Sequence, residues 1–273
     1  MNMSEKIQQT VNYIRSIVKT IPEAGIILGS GLGGLVREIE IELSCSYNYI
    51  PNFPVCTVVG HKIKLIFGKL SGKNVVVMQG RFHYYEGYSM QEITFPVRVM
   101  KFIGIKNLFI SNAAGGVNPA FKIGDLMFIR DHINLMPSNP LIGKNDESLG
   151  PRFPDMSEPY NRKLIEHAKK IAEKNNIRFH TGVYVSVSGP TFETSAEYKY
   201  IRTIGGDAVG MSTVPEVIVA VHMKLSCFAV SVITDLGGMD DQTPVSHTEV
   251  LKAAEEAESK LTLVFKELVA LQV

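Results

Sequence analysis

Short apolar runs that alternate with amphipathic helical segments constrain the fold of this 273-residue chain more than any other feature. Runs such as AGIIL, NLFISNAAGG and LSCFAVSVIT have the length and composition of buried strands, and each contains or leads into glycine or polar residues. An amphipathic helix is predicted over 4–19, with Ser4 as its N-cap. The alternation indicates an α/β sandwich around a mostly parallel or mixed sheet. Because no repeat or charged linker interrupts it, we expect one domain over 1–273.

A hairpin, several helices and one long loop complete the predicted organisation. The segment IKLIFGKLSGKNVVVMQG predicts two strands joined by the turn Ser71-Gly-Lys-Asn74, and GVYVSVSGP predicts a further strand. Helices are predicted near 160–175 and 194–204, over VPEVIVAVHMK, and from about Ser246 onward. The segment 136–160 is rich in proline and shows neither the periodicity of a helix nor that of a strand. Since long structureless loops in compact domains usually carry a role, we expect a functional or intersubunit loop there.

Charge and cysteine usage restrict the classes of partner. A net charge of +1 does not provide the excess of positive charge that binding to nucleic acid or to an acidic membrane surface needs. We therefore expect small molecules or further copies of this chain as partners. Cys45, Cys56 and Cys227 lie far apart without zinc-site spacing, which predicts buried thiols in a reducing compartment and no metal. The N-terminal segment carries charges through its apolar pattern, unlike a signal peptide or a membrane span, and the cytoplasm is the expected location.

The glycine-rich stretch GSGLGG, 29–34, matches the G-x-G-x-x-G pattern of dinucleotide-binding folds. That function needs an acidic residue about 20 positions further on to hold the ribose 2′-hydroxyl. The chain reads CSYNYIPNFPVC there, which argues against a nicotinamide cofactor. A glycine turn after a strand also directs backbone N–H groups, and here the Ser30 hydroxyl, at an anion. Taken alone, the loop is equally consistent with a tight turn that binds nothing.

Two further stretches place chemically useful side chains directly after predicted strands. GRFHYYEGY contains Arg81, which can bond two phosphate oxygens at once, and His83, a second donor. SGPTFETSAEY puts Phe192 beside Glu193, an aromatic face next to a carboxylate, as a site for a planar heterocycle with a ring N–H requires.

Each stretch also has a structural interpretation. An isolated Arg or His is more often a surface or core-edge residue, and SGPTFETSAEY could be a helix start with Thr191 as cap and Glu193 or Thr194 in the first turn. In SHTEV, Ser246 and Glu249 form a capping box, so His247 could simply occupy a first helical turn.

Taken together, GSGLGGL, GH, QGRFHYYEGY, NAAGG, RFPDMS, GPTFET and VGMSTVPEVIVA resemble the trimeric class of purine nucleoside phosphorylases, in order and spacing, across nearly the whole chain. The resemblance implies a single-domain three-layer sandwich with a central mixed, partly barrel-like sheet flanked by helices, assembled as a homotrimer with active sites near the subunit interfaces. It implies reversible phosphorolysis of purine (2′-deoxy)ribonucleosides in purine salvage. Inorganic phosphate would be a co-substrate, with no metal or organic cofactor.

The same resemblance implies roles for individual residues in three parts of an active site. The expected phosphate ligands are Ser30, Arg81, His83, the backbone amide of Ala113, and Ser212. The residues expected around the ribose are Tyr85, Met211, His247, Phe153 from the neighbouring subunit and, near the 5′ end, His61. The residues expected at the purine are Phe192, Glu193 and Asn112. The side chains expected to act in the chemical step are His83, Glu193, Asp235 and His247.

Asp235 departs from the family pattern. Phosphorylases selective for 6-oxopurines usually carry Asn there, whereas an ionised Asp accepts from a 6-amino group, as in the related methylthioadenosine phosphorylases. Glu193, suited to the N1–H of inosine or guanosine, is retained, although those relatives have a small residue. Two interpretations follow: Asp235 broadens acceptance toward adenosine, or it is neutral or turned away and the 6-oxopurine preference is ordinary. The alternatives to a purine nucleoside phosphorylase are a methylthioadenosine phosphorylase, a nicotinamide-dependent oxidoreductase and a noncatalytic nucleoside sensor.

Overall fold

The computed structural model describes residues 1–55, 63–237 and 246–271. The α-helices in these residues are α1 (Met3–Ile17), α2 (Met90–Ile103), α3 (Arg162–Lys174), α4 (Ser195–Thr203), α5 (Val214–His222) and α6 (His247–Leu271). The strands are β1 (Ala24–Leu28), β2 (Glu40–Ser46), β3 (Lys64–Leu70), β4 (Lys73–Gln79), β5 (Asn107–Gly116), β6 (Leu126–Asn134), β7 (Phe179–Ser186), β8 (Ala208–Gly210) and β9 (Ser226–Leu236).

A single mixed sheet closes on itself at one end. Its strand order is β2-β3-β4-β1-β5-β8-β7-β6-β9, and a further pairing of β9 with β5 completes a five-stranded barrel. Strands β4, β1, β5 and β9 are joined by parallel pairings, whereas β8 and β6 run antiparallel to their neighbours β5 and β9. This mixed α/β domain with a barrel-like sheet confirms the expected fold class.

Buried apolar surface holds two groups of helices against the sheet. Helix α2 contacts both α1 and α5, and α5 packs on β9, while α3 and α6 form a second group. Aromatic rings fasten α6 to the sheet: the Phe265 ring centroid lies 5.9 Å from that of Phe109 and 6.2 Å from that of Phe228. Strands buried on both faces, such as β1, read as continuous apolar runs, which explains why the sequence pattern identified them.

A β-bulge interrupts the pairing of β5 with β9 at the edge where both strands end. Ala114 pairs with Ile233, but Gly115 pairs with Asp235, so Thr234 is an extra residue in β9. Because side chains alternate between the faces of a strand, one extra residue changes the face to which the following side chain points. The bulge therefore sets the direction of Asp235.

Most predicted elements are confirmed, with their ends moved by a few residues. The hairpin turns at Ser71 and Gly72, which both have positive φ, and residues 135–161 contain neither helix nor strand. The Ser4 cap is wrong: Asn2 caps α1, its side chain accepting from the backbone of Glu5, while the Ser4 hydroxyl donates to Asp146.

Two elements, α2 and β2, went unpredicted. Helix α2 carries Pro96 in its interior and is buried around most of its circumference, so it lacks the one-sided pattern of a surface helix. Strand β2 is largely exposed and lacks an apolar run. Cys227 is buried as expected, Cys45 is only partly buried, and Cys56 lies outside the described residues. No helix among the described residues is long and apolar enough to span a membrane.

Candidate active site

Most of the predicted site residues line one cavity of about 310 Å³ at the carboxyl ends of the parallel strands. The cavity is formed by the loops after β1 and β4 and by the last residues of strands β5 and β9. Ligand sites in α/β sheets generally lie at this edge. The residues that follow strand β8 also reach the cavity, because β8 pairs with the end of β5. The predicted residues in the cavity wall are Ser30, Arg81, His83, Tyr85, Asn112, Ala113, Phe192, Glu193, Met211, Ser212, Asp235 and His247.

The glycine loop approaches β5 too closely for side chains. A Cβ on Gly29 would lie 2.8 Å from the Asn112 Cα, and Gly31 has a φ of +73°, which glycine adopts without strain. After the loop the chain enters a 3₁₀ segment, Gly33–Glu38, and then antiparallel β2. A dinucleotide fingerprint opens an α-helix within a βαβ unit, so the local fold argues against the nicotinamide alternative.

Arg81 is the buried cation of the cavity. Its Nη1 donates to the Ser212 Oγ at 2.7 Å, and its Nε lies 3.4 Å from the Glu216 Oε1 at the start of α5. The side chains of Arg81 and Glu216 are only 2% and 6% exposed, so the carboxylate partly balances the guanidinium charge away from water. The sequence motif VGMSTVPEVIVA contains Glu216, but nothing in the spacing indicated that it contacts Arg81.

Thr213 connects the strand ends beneath Arg81. The Asn112 Nδ2 donates to the Thr213 Oγ1 at 2.8 Å, and the Arg81 Nη1 lies 3.4 Å from the same oxygen. Thr213 has a φ of +71°, which is costly for a β-branched residue and persists only where its surroundings fix it. These contacts hold the neighbouring Ser212 hydroxyl toward the cavity.

His83 is buried and tied to Glu86. The Glu86 Oε1 lies 3.3 Å from the His83 Nδ1 and accepts from its backbone N–H at 2.8 Å. Burial lowers the pKa of His83, an effect that the hydrogen bond to Glu86 partly offsets. The imidazole also stacks on the Tyr85 ring, with centroids 4.7 Å apart.

The opposite part of the cavity is acidic. Burial raises the pKa of the Glu193 carboxyl, hydrogen bonds from its own backbone and from Tyr198 partly offset the rise, and the nearby Asp235 charge adds to it. Burial likewise raises the pKa of Asp235, against hydrogen bonds from Thr234 and Tyr198. Asp235 lines the cavity, so the interpretation in which it turns away is wrong. Tyr198 is a contact that the sequence did not reveal.

Two helix starts resolve the alternatives left by the sequence. Thr194, not Thr191, caps α4, and Glu193 precedes the helix, so the interpretation of Glu193 as a first-turn residue is wrong. Ser246 and Glu249 do form the expected capping box, yet His247 in that first turn also lines the cavity. His247 therefore lies in a capped first turn and in the cavity wall at the same time.

Of the predicted site residues that the structure describes, Phe153 lies away from the cavity. Phe153 is 86% exposed on the loop 135–161 and lines a separate depression with Ile142 and Ile218, while the Arg152 guanidinium lies 5.8 Å from its ring. His61 lies outside the described residues. Among the residues that are described, no cluster of three or more His, Cys, Asp or Glu side chains could hold a metal ion.

Comparison with known proteins identifies the family. The model of the phosphorylase superfamily matches residues 23–270. The chain is 53% identical over 254 residues to purine nucleoside phosphorylase 1 of Geobacillus stearothermophilus, covering 93% of this chain and 92% of the relative. The chain belongs to the phosphorylase superfamily.

Within that superfamily its activity is that of a purine nucleoside phosphorylase, a pentosyltransferase. Two crystal structures of Schistosoma mansoni purine nucleoside phosphorylase, one with inosine and one with adenosine, match with TM-scores of 0.93 and 0.91. Each is 42% identical and covers 97% of this chain and 96% of its own. This enzyme class decides against the methylthioadenosine phosphorylase, oxidoreductase and sensor alternatives.

Glu216→Gln should destabilise this phosphorylase, because the buried guanidinium of Arg81 would lose a carboxylate partner. We expect the free energy of unfolding, measured by urea denaturation and circular dichroism, to fall by about 3 kcal/mol. Glu158→Gln is the matched control, since Glu158 forms an exposed ion pair with Arg162. Its effect should stay below about 0.5 kcal/mol. Equal losses from the two variants would contradict the role given to burial.

Proposed function

We propose that the enzyme transfers ribose or deoxyribose from inosine and guanosine to inorganic phosphate, and that Asp235 extends its substrates to adenosine. The observation that carries this proposal is one cavity in which a buried cation with hydroxyl donors shares its walls with two half-buried carboxyl groups and an aromatic ring. We further propose a role in cytoplasmic purine salvage, with phosphate as co-substrate and no metal or organic cofactor.

The cationic part of the cavity would bind phosphate. Arg81 supplies charge and N–H donors, and Ser30, Ser212 and the Ala113 amide add neutral donors. In the reaction a phosphate oxygen attacks the anomeric carbon as the bond to the purine breaks, so an oxocarbenium-like sugar lies between two anions. Donors held in place by buried contacts need no reorganisation as this charge develops. His83, fixed by Glu86, would complete the phosphate site.

The acidic part of the cavity would bind the purine. Phe192 would stack on the base, and Glu193 would accept from the N1–H of a 6-oxopurine. An ionised Asp235 would accept from the 6-amino group of adenosine, whereas a protonated Asp235 would donate to N7 or O6 of inosine. Burial raises the pKa of Asp235, which brings the change between its ionised and protonated forms closer to neutral pH than for an exposed carboxyl. The Schistosoma complexes with inosine and with adenosine support acceptance of both bases within this fold.

The ribose site would include a residue from a second subunit. Tyr85, Met211 and His247 also line the cavity. Phe153 is largely exposed on a long loop in the single chain, as a residue that reaches into a neighbouring copy would be. We propose a homotrimer in which each Phe153 completes the ribose pocket of the adjacent subunit, with His61 near the ribose 5′ end.

Phosphate dependence is the first test. Purified enzyme is incubated with inosine and, separately, adenosine, with and without phosphate, and free base and ribose 1-phosphate are quantified. We expect equal amounts of base and ribose 1-phosphate, formed only when phosphate is present. Base release from neither nucleoside in the presence of phosphate would refute the proposal, and equal release without phosphate would indicate hydrolysis instead.

Asp235→Asn should raise the ratio of inosine to adenosine catalytic efficiency at least about tenfold, because an amide donates to O6 or N7 and the anionic acceptor is lost. The measurement is kcat/KM for both nucleosides at saturating phosphate. Asp131→Asn, an exposed position on β6, is the control and should leave the ratio unchanged. An unchanged ratio in Asp235→Asn would remove this residue from base selection.

Subunit mixing tests the placement of Phe153. Phe153→Ala and Glu193→Ala should each lose inosine activity. Co-expressed, they should recover part of it, because a mixed trimer contains sites with an intact Glu193 and a neighbour's intact Phe153. In the control, Phe153→Ala is co-expressed with the Phe153→Ala, Glu193→Ala double variant instead of with Glu193→Ala. No subunit of that mixture contains Phe153. Equal activity in the two mixtures would place Phe153 outside the neighbouring site.

A further inference from the structure

Tyr198 on α4 links the two carboxyl groups of the cavity. Its side chain is 1% exposed, and its hydroxyl donates to the Asp235 Oδ2 at 3.3 Å. Tyr198 is also near enough to Glu193 to lower the pKa of that carboxyl. Glycines make room for it: a Cβ on Gly237 would lie 2.2 Å from the phenol ring, and one on Gly115 would lie 3.3 Å from the hydroxyl. The ring is therefore confined by backbone on two sides, which fixes its hydroxyl beside Asp235.

Both oxygens of Asp235 face hydroxyl groups. The Thr234 Oγ1 donates to Oδ1 at 3.0 Å, and the Tyr198 hydroxyl donates to Oδ2. Hydroxyl donors favour the ionised form of a carboxyl, and they hold its plane in one orientation. In that form Asp235 offers only acceptors to a ligand, which suits a 6-amino group and repels a 6-oxo group.

A phenol has one proton, so Tyr198 cannot donate to Asp235 and Glu193 at the same time. When the Tyr198 hydroxyl donates its hydrogen bond to one of the two carboxyl groups, the other carboxyl loses that donor. Mutual repulsion couples them further, because the Asp235 charge contributes to the raised pKa of Glu193. Burial, followed by the charges of Asp235 and Glu193, raises the pKa of Tyr198 itself, which keeps the phenol protonated and able to donate.

We propose that Tyr198 is a positioning residue for base specificity, which holds Asp235 as an acceptor for 6-amino purines while sharing its single proton with Glu193. The inference rests on the proposed binding of the purine by Glu193 and Asp235. Tyr198 acts through these two acids and need not touch the substrate. Among the described residues, the other titratable groups in the wall of this cavity are Arg81, His83, Tyr85 and His247. The exposed Glu197 on α4 adds to the raised pKa of Glu193.

Tyr198→Phe removes the hydroxyl and keeps the ring that fills the space beside Gly237. We expect adenosine kcat/KM to fall about tenfold relative to inosine, because one hydrogen bond to an ionised group is lost. Without this donor the pKa of Asp235 rises, so the pH below which adenosine cleavage declines should move upward. Tyr200→Phe is the matched control: Tyr200 lies on the same helix, is 54% exposed, and its variant should behave as the wild type.

A double variant separates action through Asp235 from a structural effect. In an Asp235→Asn background the acid that Tyr198 controls is absent, so adding Tyr198→Phe should leave the inosine-to-adenosine ratio unchanged. A ratio that shifts as much as in the wild-type background would overturn the inference. Equal losses of both activities in Tyr198→Phe, or a pH profile and ratio identical to those of Tyr200→Phe, would overturn it too.

The wild-type enzyme distinguishes failure of this inference from failure of the proposed function. Phosphate-dependent cleavage of inosine without cleavage of adenosine leaves phosphorolysis standing and overturns the role of Tyr198, which is defined by acceptance of 6-amino purines. Absence of phosphate-dependent cleavage of either nucleoside refutes the proposed function itself.

Discussion

The pairing of β5 with β9 is the interaction on which the rest of the structure depends. It closes the five-stranded barrel, and it also joins that barrel to the open part of the sheet, because β5 pairs with β1 on its other side. Residues at the ends of these two strands thereby become neighbours although they are distant in the chain. Asn112 and Gly115 reach the cavity from β5, and Thr234 and Asp235 reach it from β9.

Buried charge is distributed unevenly along the cavity. Arg81 and Glu216 form a pair whose desolvation is offset by further bonds to Ser212 and Thr213, which leaves a fixed positive group at one end. At the other end Glu193 and Asp235 lie close enough to oppose each other's ionisation, with Tyr198 between them. An inorganic anion bound together with a neutral, hydrogen-bonding heterocycle matches this polarity, whereas a uniformly charged ligand does not.

Sequence pattern predicted those features that depend on local chain properties. Apolar runs located strands such as β1, and the residues after them located nearly the whole cavity wall, because parallel strands end at a common edge. Contacts between distant segments of the chain could not be predicted from the sequence pattern. Tyr198 stands 37 residues before its partner Asp235, and Glu216 meets Arg81 only through the approach of α5 to the loop after β4. Helix α2 was missed because its burial on most sides removes the periodicity that reveals a helix.

The bulge at Thr234 has a consequence for how such an enzyme can change over generations. Because the bulge sets the direction of Asp235, an insertion or deletion near the end of β9 would change the side chains that β9 presents to the cavity and disturb closure of the barrel. Replacement of the side chain at 235 leaves the backbone register intact. The side chain at this position of the cavity wall can therefore change through single substitutions, while selection for a folded barrel would remove changes in the length of this strand.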